Sequence, residues 1–184
     1  SYAGTNLLPR FYSRQTQETA QFVMVQIGNK TDSQTEYKNI VLREMTKEDL
    51  NRVCQMEKMY FKTPWSINSF LAEFNAPHSN SYILEKDSQI IGYAVAWFLE
   101  GEFHLANLAV EEKLRKQGYG LIFVKKLMKI ARQKNCKFAF LEVRESNIPA
   151  IKLYEKVGFT IVGKRKNYYQ AENEDALLMS CFLF

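Results

Sequence analysis

Leu114-Arg115-Lys116-Gln117-Gly118-Tyr119-Gly120 sits between an apolar, strand-like run ending at Val110 and a long stretch with helical apolar spacing. Two glycines at the mouth of a helix leave its first-turn N–H groups open to close approach, and such a nest of backbone donors suits a phosphate. Lys113, Arg115 and Lys116 add positive charge at the same place. The stretch reads as a pyrophosphate loop between a strand and a helix; taken alone, Arg115-x-x-Gly118-x-Gly120 also fits a simple helix-start turn.

Downstream, Phe123, Leu127, Ile130 and Ala131 recur at helical spacing, with Lys125, Lys126, Lys129 and Arg132 on the other faces, which predicts a helix ending before Cys136. Lys137–Val143 reads as a buried strand, Pro149 as the first turn of a helix reaching Val157, and Gly158 as its C-cap. Phe159–Gly163 and Ala176–Phe182 are expected to be antiparallel strands joined by a long polar loop. Upstream, Phe103–Val110 is a strand, Ser81–Glu85 and Ile90–Leu99 form a hairpin about a polar turn, and Ile40–Leu42 is one more strand. Thr46-x-x-Asp49 matches a capping box opening a helix to about Phe61. Ser66 caps a second helix with Ile67, Phe70, Leu71 and Phe74 on one face. Residues 1–38 are the least regular part, an extension with a short apolar stretch from Phe22 to Ile27; residues 39–184 form one mixed α/β domain.

The chain of 184 residues suits one core, and its net charge of +5 permits anionic partners without implying nucleic acid. The lysine-bearing helix face over residues 125–134 reads as solvated, with no recognition motif beside it, so neither direct nucleic-acid recognition nor membrane binding is expected. Cys54, Cys136 and Cys181 are widely spaced and odd in number, as in a reduced cytoplasmic protein, and Leu7-Leu8 is followed at once by Pro9 and Arg10, unlike a signal peptide. His78 and His104 show neither a partner pattern nor metal spacing.

Four stretches carry a family likeness: Phe61-Lys62-Thr63-Pro64-Trp65-Ser66; Asn107-Leu108-Ala109-Val110 with Arg115-x-x-Gly118-x-Gly120; Leu141-Glu142-Val143-Arg144-x-Ser146-Asn147 with Ala150-Ile151-x-Leu153-Tyr154-Glu155-x-x-Gly158-Phe159; and Arg165-x-Asn167-Tyr168-Tyr169 before Glu174-Asp175-Ala176. From about Ile40 to Leu183 the chain resembles the GNAT acyltransferases, and within them the bacterial RimI-type ribosomal-protein alanine N-acetyltransferases. Residues 1–38 lie outside the likeness. It implies a GNAT fold, a mixed and mostly antiparallel central sheet flanked by helices. It also implies direct transfer of an acetyl group from acetyl-CoA to a protein's amino-terminal α-amine, ribosomal protein S18 or similar.

The resemblance places the pantetheine arm along Leu108, Ala109 and Val110, with the N–H of Leu108 or Val110 facing the thioester carbonyl. Arg115, Lys116, Gln117, Gly118, Tyr119 and Gly120 would supply the pyrophosphate loop. Arg115 has two roles open to it, phosphate contact or a solvated surface position. Asn147 has two as well, binding pantetheine amides or capping a turn. Glu142 is the implied general base, and its alternative is a pair with Arg144 or Lys152. Tyr154 is the implied acid or sulfur-positioning group, and its alternative is a core aromatic. Trp65, Asn107, Glu142, Tyr168 and Tyr169 are the implied peptide-binding set, with Asn167 and Glu174 as lesser candidates. No cysteine lies in the catalytic block, so no acyl-enzyme is expected. A lysine or small-amine acetyltransferase, and a CoA-binding module without turnover, are the rival readings; the sequence leaves the oligomeric state open.

Overall fold

The structure, a computed structural model, describes residues 39–184. The extension over residues 1–38, with its apolar stretch at Phe22–Ile27, lies outside the described residues. Seven strands form one sheet: β1 (Ile40–Glu44), β2 (Ser79–Lys86), β3 (Gln89–Leu99), β4 (Glu102–Val110), β5 (Phe138–Arg144), β6 (Thr160–Tyr169) and β7 (Glu174–Phe182). Their spatial order is β1-β2-β3-β4-β5-β7-β6, and only β4 and β5 run parallel. Four helices, α1 (Leu50–Tyr60), α2 (Ile67–Asn75), α3 (Tyr119–Gln133) and α4 (Ile148–Glu155), complete the fold. α3 is the crossover between the parallel pair, as a parallel connection requires.

β3, and Tyr82-Ile83-Leu84 within β2, read as continuous apolar runs because both faces are covered. Leu84, Ala94 and Ala96 join Phe103, Phe123, Leu127, Leu141, Ile151 and Met179 in the core under α3 and α4. Ile83, Tyr93 and Val95 join Leu50, Val53, Met56 and Phe70 in a second core under α1 and α2. Asp49 reaches back to the Thr46 N–H at 2.8 Å, so the expected capping motif forms; it opens a 3-10 turn, Lys47–Asp49, ahead of α1.

Two irregularities shape the site. The β3–β4 register shifts between Val95↔Asn107 and Ala96↔Leu105, leaving Ala106 as an extra residue on β4. Such a bulge bends its strand. Ala106 and Ala109 consequently pack with the α1–α2 core and Leu108 and Val110 with the α3–α4 core. Second, β4 and β5 pair only from Glu102↔Phe138 to Leu105↔Leu141, while β5 stays paired with β7 as far as Arg144↔Ala176. The two parallel strands part company beyond Leu105 and Leu141.

The expected polar loop after Gly163 is instead strand: β6 continues to Tyr169 and turns tightly through Gln170–Glu172 into β7. Lys164, Arg165 and Lys166 gave the segment its loop-like polarity, but an edge strand is where charge belongs, because it is solvated and resists pairing with another chain. The three cysteines are unpaired, with Cys136 and Cys181 buried. No helix among the described residues is long and apolar enough to cross a membrane.

Candidate active site

Where β4 leaves β5, its backbone becomes available. Glu111 N–H bonds to Ile91 of β3 at 2.8 Å. Peptide groups alternate sides along a strand, so the N–H groups of Leu108 and Val110 point the other way, into the gap towards β5. This open strand edge suits the amides of a pantetheine arm. Val110 also directs its carbonyl there, where Arg115 Nε donates to it at 3.1 Å.

The following loop is built for close backbone approach. Lys116 and Gly118 both take positive φ, +62° and +86°, and Gly118 is the N-cap of α3. The first intrahelical bond of α3 runs from Ile122 N–H to the Gly118 carbonyl at 3.0 Å. Tyr119, Gly120 and Leu121 therefore present first-turn donors at the positive end of a 15-residue helix. Together with the β4 edge, this donor set fits acetyl-CoA. The side chains behave differently. Arg115 turns back on its own loop, its guanidinium 4.4 Å from the Tyr60 ring centre; Gln117 donates to the Lys113 carbonyl at 2.8 Å; the buried Tyr119 meets Lys86 Nζ at 2.7 Å through its hydroxyl. Gly120 serves helix packing too, since a Cβ there would lie 2.8 Å from Leu153 Cδ1 of α4. Gly118 is thus the cleaner probe of the loop. Gly118→Ala forces a side chain into left-handed backbone at a cost of about 1–2 kcal/mol, and CoA affinity measured by calorimetry should fall about tenfold. Unchanged affinity would remove the loop from the cofactor site.

Glu142 lies on β5 one step past the end of β4–β5 pairing. Neither partner expected for it from sequence is the one it has. Its Oε2 meets His104 Nε2 at 2.6 Å, and its Oε1 lies 3.3 Å from Arg165. Burial alone would raise the carboxyl; the His104 hydrogen bond and charge, with Arg165, outweigh it and hold the group below the usual carboxylate range. Tyr168 stands close enough for the Glu142 charge to help push its phenol up, after burial. Tyr154, on α4, is buried against Phe159 with ring centres 5.8 Å apart. Burial, then the nearby Tyr169, raises its phenol well above the ordinary range, so it stays protonated. Tyr168 and Tyr169 thus neighbour Glu142, and Tyr154 neighbours Tyr169. Asn147 instead caps α4, its side chain accepting from Ala150 N–H at 3.2 Å.

The turn carrying the tyrosines is tied down by Arg144. Its guanidinium lies 3.8 Å from the Tyr169 ring centre, 2.9 Å from Glu174 and 3.3 Å from Glu172. Burial pushes the Tyr169 phenol up to about 12 against the opposing pull of Arg144. Glu174 accepts from Ser146 N–H at 3.0 Å, so it anchors this turn, and Asn167 contributes its backbone N–H to Asp175 at 2.8 Å. Hydrogen bonds from the Ser146 side chain and backbone, backed by Arg144, hold the Glu174 carboxyl down to about 2. A folded-state value below the unfolded one stabilises the fold above the unfolded value and is lost as pH falls through the folded one. Between about pH 4 and about pH 2 the urea midpoint of the wild type should therefore fall more steeply than that of Glu174→Gln; parallel curves would show that the tie carries no stability.

A further carboxylate, absent from the sequence reading, organises the other wall. Glu57 of α1 is 1% exposed and accepts from the Tyr93 hydroxyl, from Asn107 Nδ2 at 3.3 Å and from Trp65 N–H at 2.9 Å. Burial raises its carboxyl despite these donors. Two expected peptide-binding residues, Asn107 and Trp65, are joined through it; the Asn107 side chain is spent on this bond, and the half-buried Trp65 ring rests 5.5 Å from Phe70. An isolated glutamate in an amphipathic helix carries no sign of such burial. Glu57→Ala strands three donors, each costing about 1–3 kcal/mol when unmet. A loss of about 3 kcal/mol in urea unfolding is expected, and a loss below about 1 kcal/mol would leave the network without weight.

Comparison with known proteins agrees with this geometry. The family model described as "Acetyltransferase (GNAT) family" matches residues 50–159. The ribosomal protein bS18-alanine N-acetyltransferase of Haemophilus ducreyi is 33% identical over 146 residues, 78% of this chain and 100% of that one. The crystal structure of the ribosomal-protein-S18-alanine N-acetyltransferase from Escherichia coli superposes with a TM-score of 0.72 at 27% identity, covering 78% of this chain and 94% of that one. Arabidopsis thaliana NAA60 in complex with acetyl-CoA shares the fold, with a TM-score of 0.71 at 20% identity over 79% and 99% of the two chains. On this fold and these matches, the chain belongs to the GNAT acetyltransferases and, within them, to the ribosomal-protein bS18-alanine N-acetyltransferase family of acetyl-CoA-dependent protein N-terminal acetyltransferases.

Proposed function

We propose that this protein acetylates the first-residue α-amine of a ribosomal protein of the bS18 kind, in the cytoplasm, by direct transfer in a ternary complex. The observation that supports this reading is that Tyr168 and Tyr169, at the end of β6, stand near Glu142, with Arg165 lying 5.5 Å from the Tyr168 ring centre and 3.3 Å from the Glu142 carboxylate. An aromatic entrance beside a carboxylate suits the end of an extended chain, whose second side chain can pack on a ring. Acetyl-CoA supplies the activated acetyl group. The first-turn donors of α3 hold its pyrophosphate, and the Leu108 or Val110 N–H stabilises charge on the carbonyl oxygen. Glu142 takes the proton of the attacking amine, directly or through water, and Tyr154 returns one to the departing sulfur.

The low proton affinity of Glu142 favours an α-amine over a lysine. At neutral pH roughly 10% of an α-amine is already free base, against roughly 0.04% of a lysine side chain. A weak base suffices for the first. The test is mass-resolved acetylation of matched peptides. A free Ala-Arg-aromatic start should be acetylated at its α-amine, and the amino-terminally blocked form should be inert. Equal acetylation of internal lysines in both would replace this reading with that of a lysine acetyltransferase.

A further inference from the structure

The nearest side-chain partner of Glu142 stands on the neighbouring parallel strand. His104 and Phe140 are register partners across β4 and β5, so Glu142, two residues beyond Phe140, shares their face where the pairing has just stopped. From there the two side chains lean together, with His104 Nε2 2.6 Å from Glu142 Oε2. The imidazole is itself held. Its ring packs edge-on to Trp97 at 4.9 Å, and Trp97 Nε1 donates to Glu73 of α2 at 2.8 Å. A line of contacts runs from α2 through β3 and β4 to the carboxylate on β5.

A carboxylate at the end of a flexible side chain needs such a hold to meet an incoming amine in one orientation. Arg165 meets the other oxygen at 3.3 Å, so each carboxylate oxygen has one fixed neighbour. We propose that His104 is a positioning residue for Glu142, fixing one carboxylate oxygen towards β4 so that the group meets the amine in one orientation. This rests on the reading of Glu142 as the base. The charged and titratable groups around the pair are Glu73 on α2, reached through Trp97; His78, whose ring is 6.2 Å from Trp97; Glu102, two residues before His104; and Arg165 and Tyr168 on β6. None of the substitutions below removes any of them.

The experiment measures kcat at saturating peptide and acetyl-CoA from about pH 5.5 to about pH 9 for wild type, His104→Gln, His104→Phe and Glu142→Gln, with melting temperatures alongside. The substrate amine titrates identically in all four and cancels in the comparison. His104→Phe should lose roughly tenfold or more in kcat across the range, with peptide KM within about twofold. His104→Gln retains a donor and should recover most of that turnover. Wild-type kcat in His104→Phe would overturn positioning, and so would a His104→Gln variant as slow as His104→Phe at an unchanged melting temperature. Loss of turnover in both variants in step with melting temperature would reduce His104 to a structural role. If Glu142→Gln is impaired while both His104 variants match the wild type, the inference fails alone. If Glu142→Gln is itself unimpaired, the reading beneath it fails too.

Discussion

Glu142→Gln should lower kcat by ~10²–10⁴-fold while leaving acetyl-CoA affinity within about twofold, because a general base is typically worth that much. Gln keeps the shape of the side chain and an oxygen that can still accept from His104 at the present 2.6 Å. It cannot take up a proton. The cofactor donors proposed above belong to β4 and the start of α3 and Glu142 is not among them, so binding of acetyl-CoA reports separately from turnover. The loss should be greatest near neutral pH, where Glu142, held below the usual carboxylate range, is fully ionised. Turnover matching the wild type from about pH 6 to about pH 9 would remove Glu142 from the mechanism.

Tyr154→Phe should cost about 10²-fold in kcat with little change in melting temperature. The ring is buried against Phe159, and a phenylalanine fills the same space, so the packing survives and only the hydroxyl is lost. Because burial keeps the phenol protonated through the accessible range, the wild type should show no alkaline loss of activity from this group. An acetyl thioester whose thiol is more acidic departs without as much help, and should narrow the gap between Tyr154→Phe and wild type. A variant equal to the wild type on acetyl-CoA would leave Tyr154 as a core aromatic.

Much of the site was legible before any coordinates. Glu142 stands out because it ends an apolar strand where a carboxylate has no packing role, and Gly118 and Gly120 stand out because two glycines at a helix start permit close backbone approach. Even there the structure reassigns work: Gly118 needs its freedom at φ +86°, whereas Gly120 also makes room for Leu153. Asn147 could be read as a cap or as a cofactor contact, and the geometry shows the cap. The first part of β6 reads as a strand, but its continuation from Lys164 to Tyr169 reads as a loop because its charges lie on a solvated edge, where polarity no longer distinguishes strand from coil.

By itself the sequence determined the order of strands and helices, the glycine turn that opens α3 and the family, because apolar periodicity, helix caps and glycine turns are local properties written within a dozen or so residues. Only the tertiary structure decided which distant groups meet. His104 and Glu142 are 38 residues apart, and Glu57 and Asn107 are 50 apart. Neither pair has a mark in the chain, since their meeting depends on strand order, on a one-residue bulge at Ala106 and on the point where β4 parts from β5. A register shift of one residue turns a side chain to the other face of a sheet, so only the assembled sheet settles which histidine touches the carboxylate.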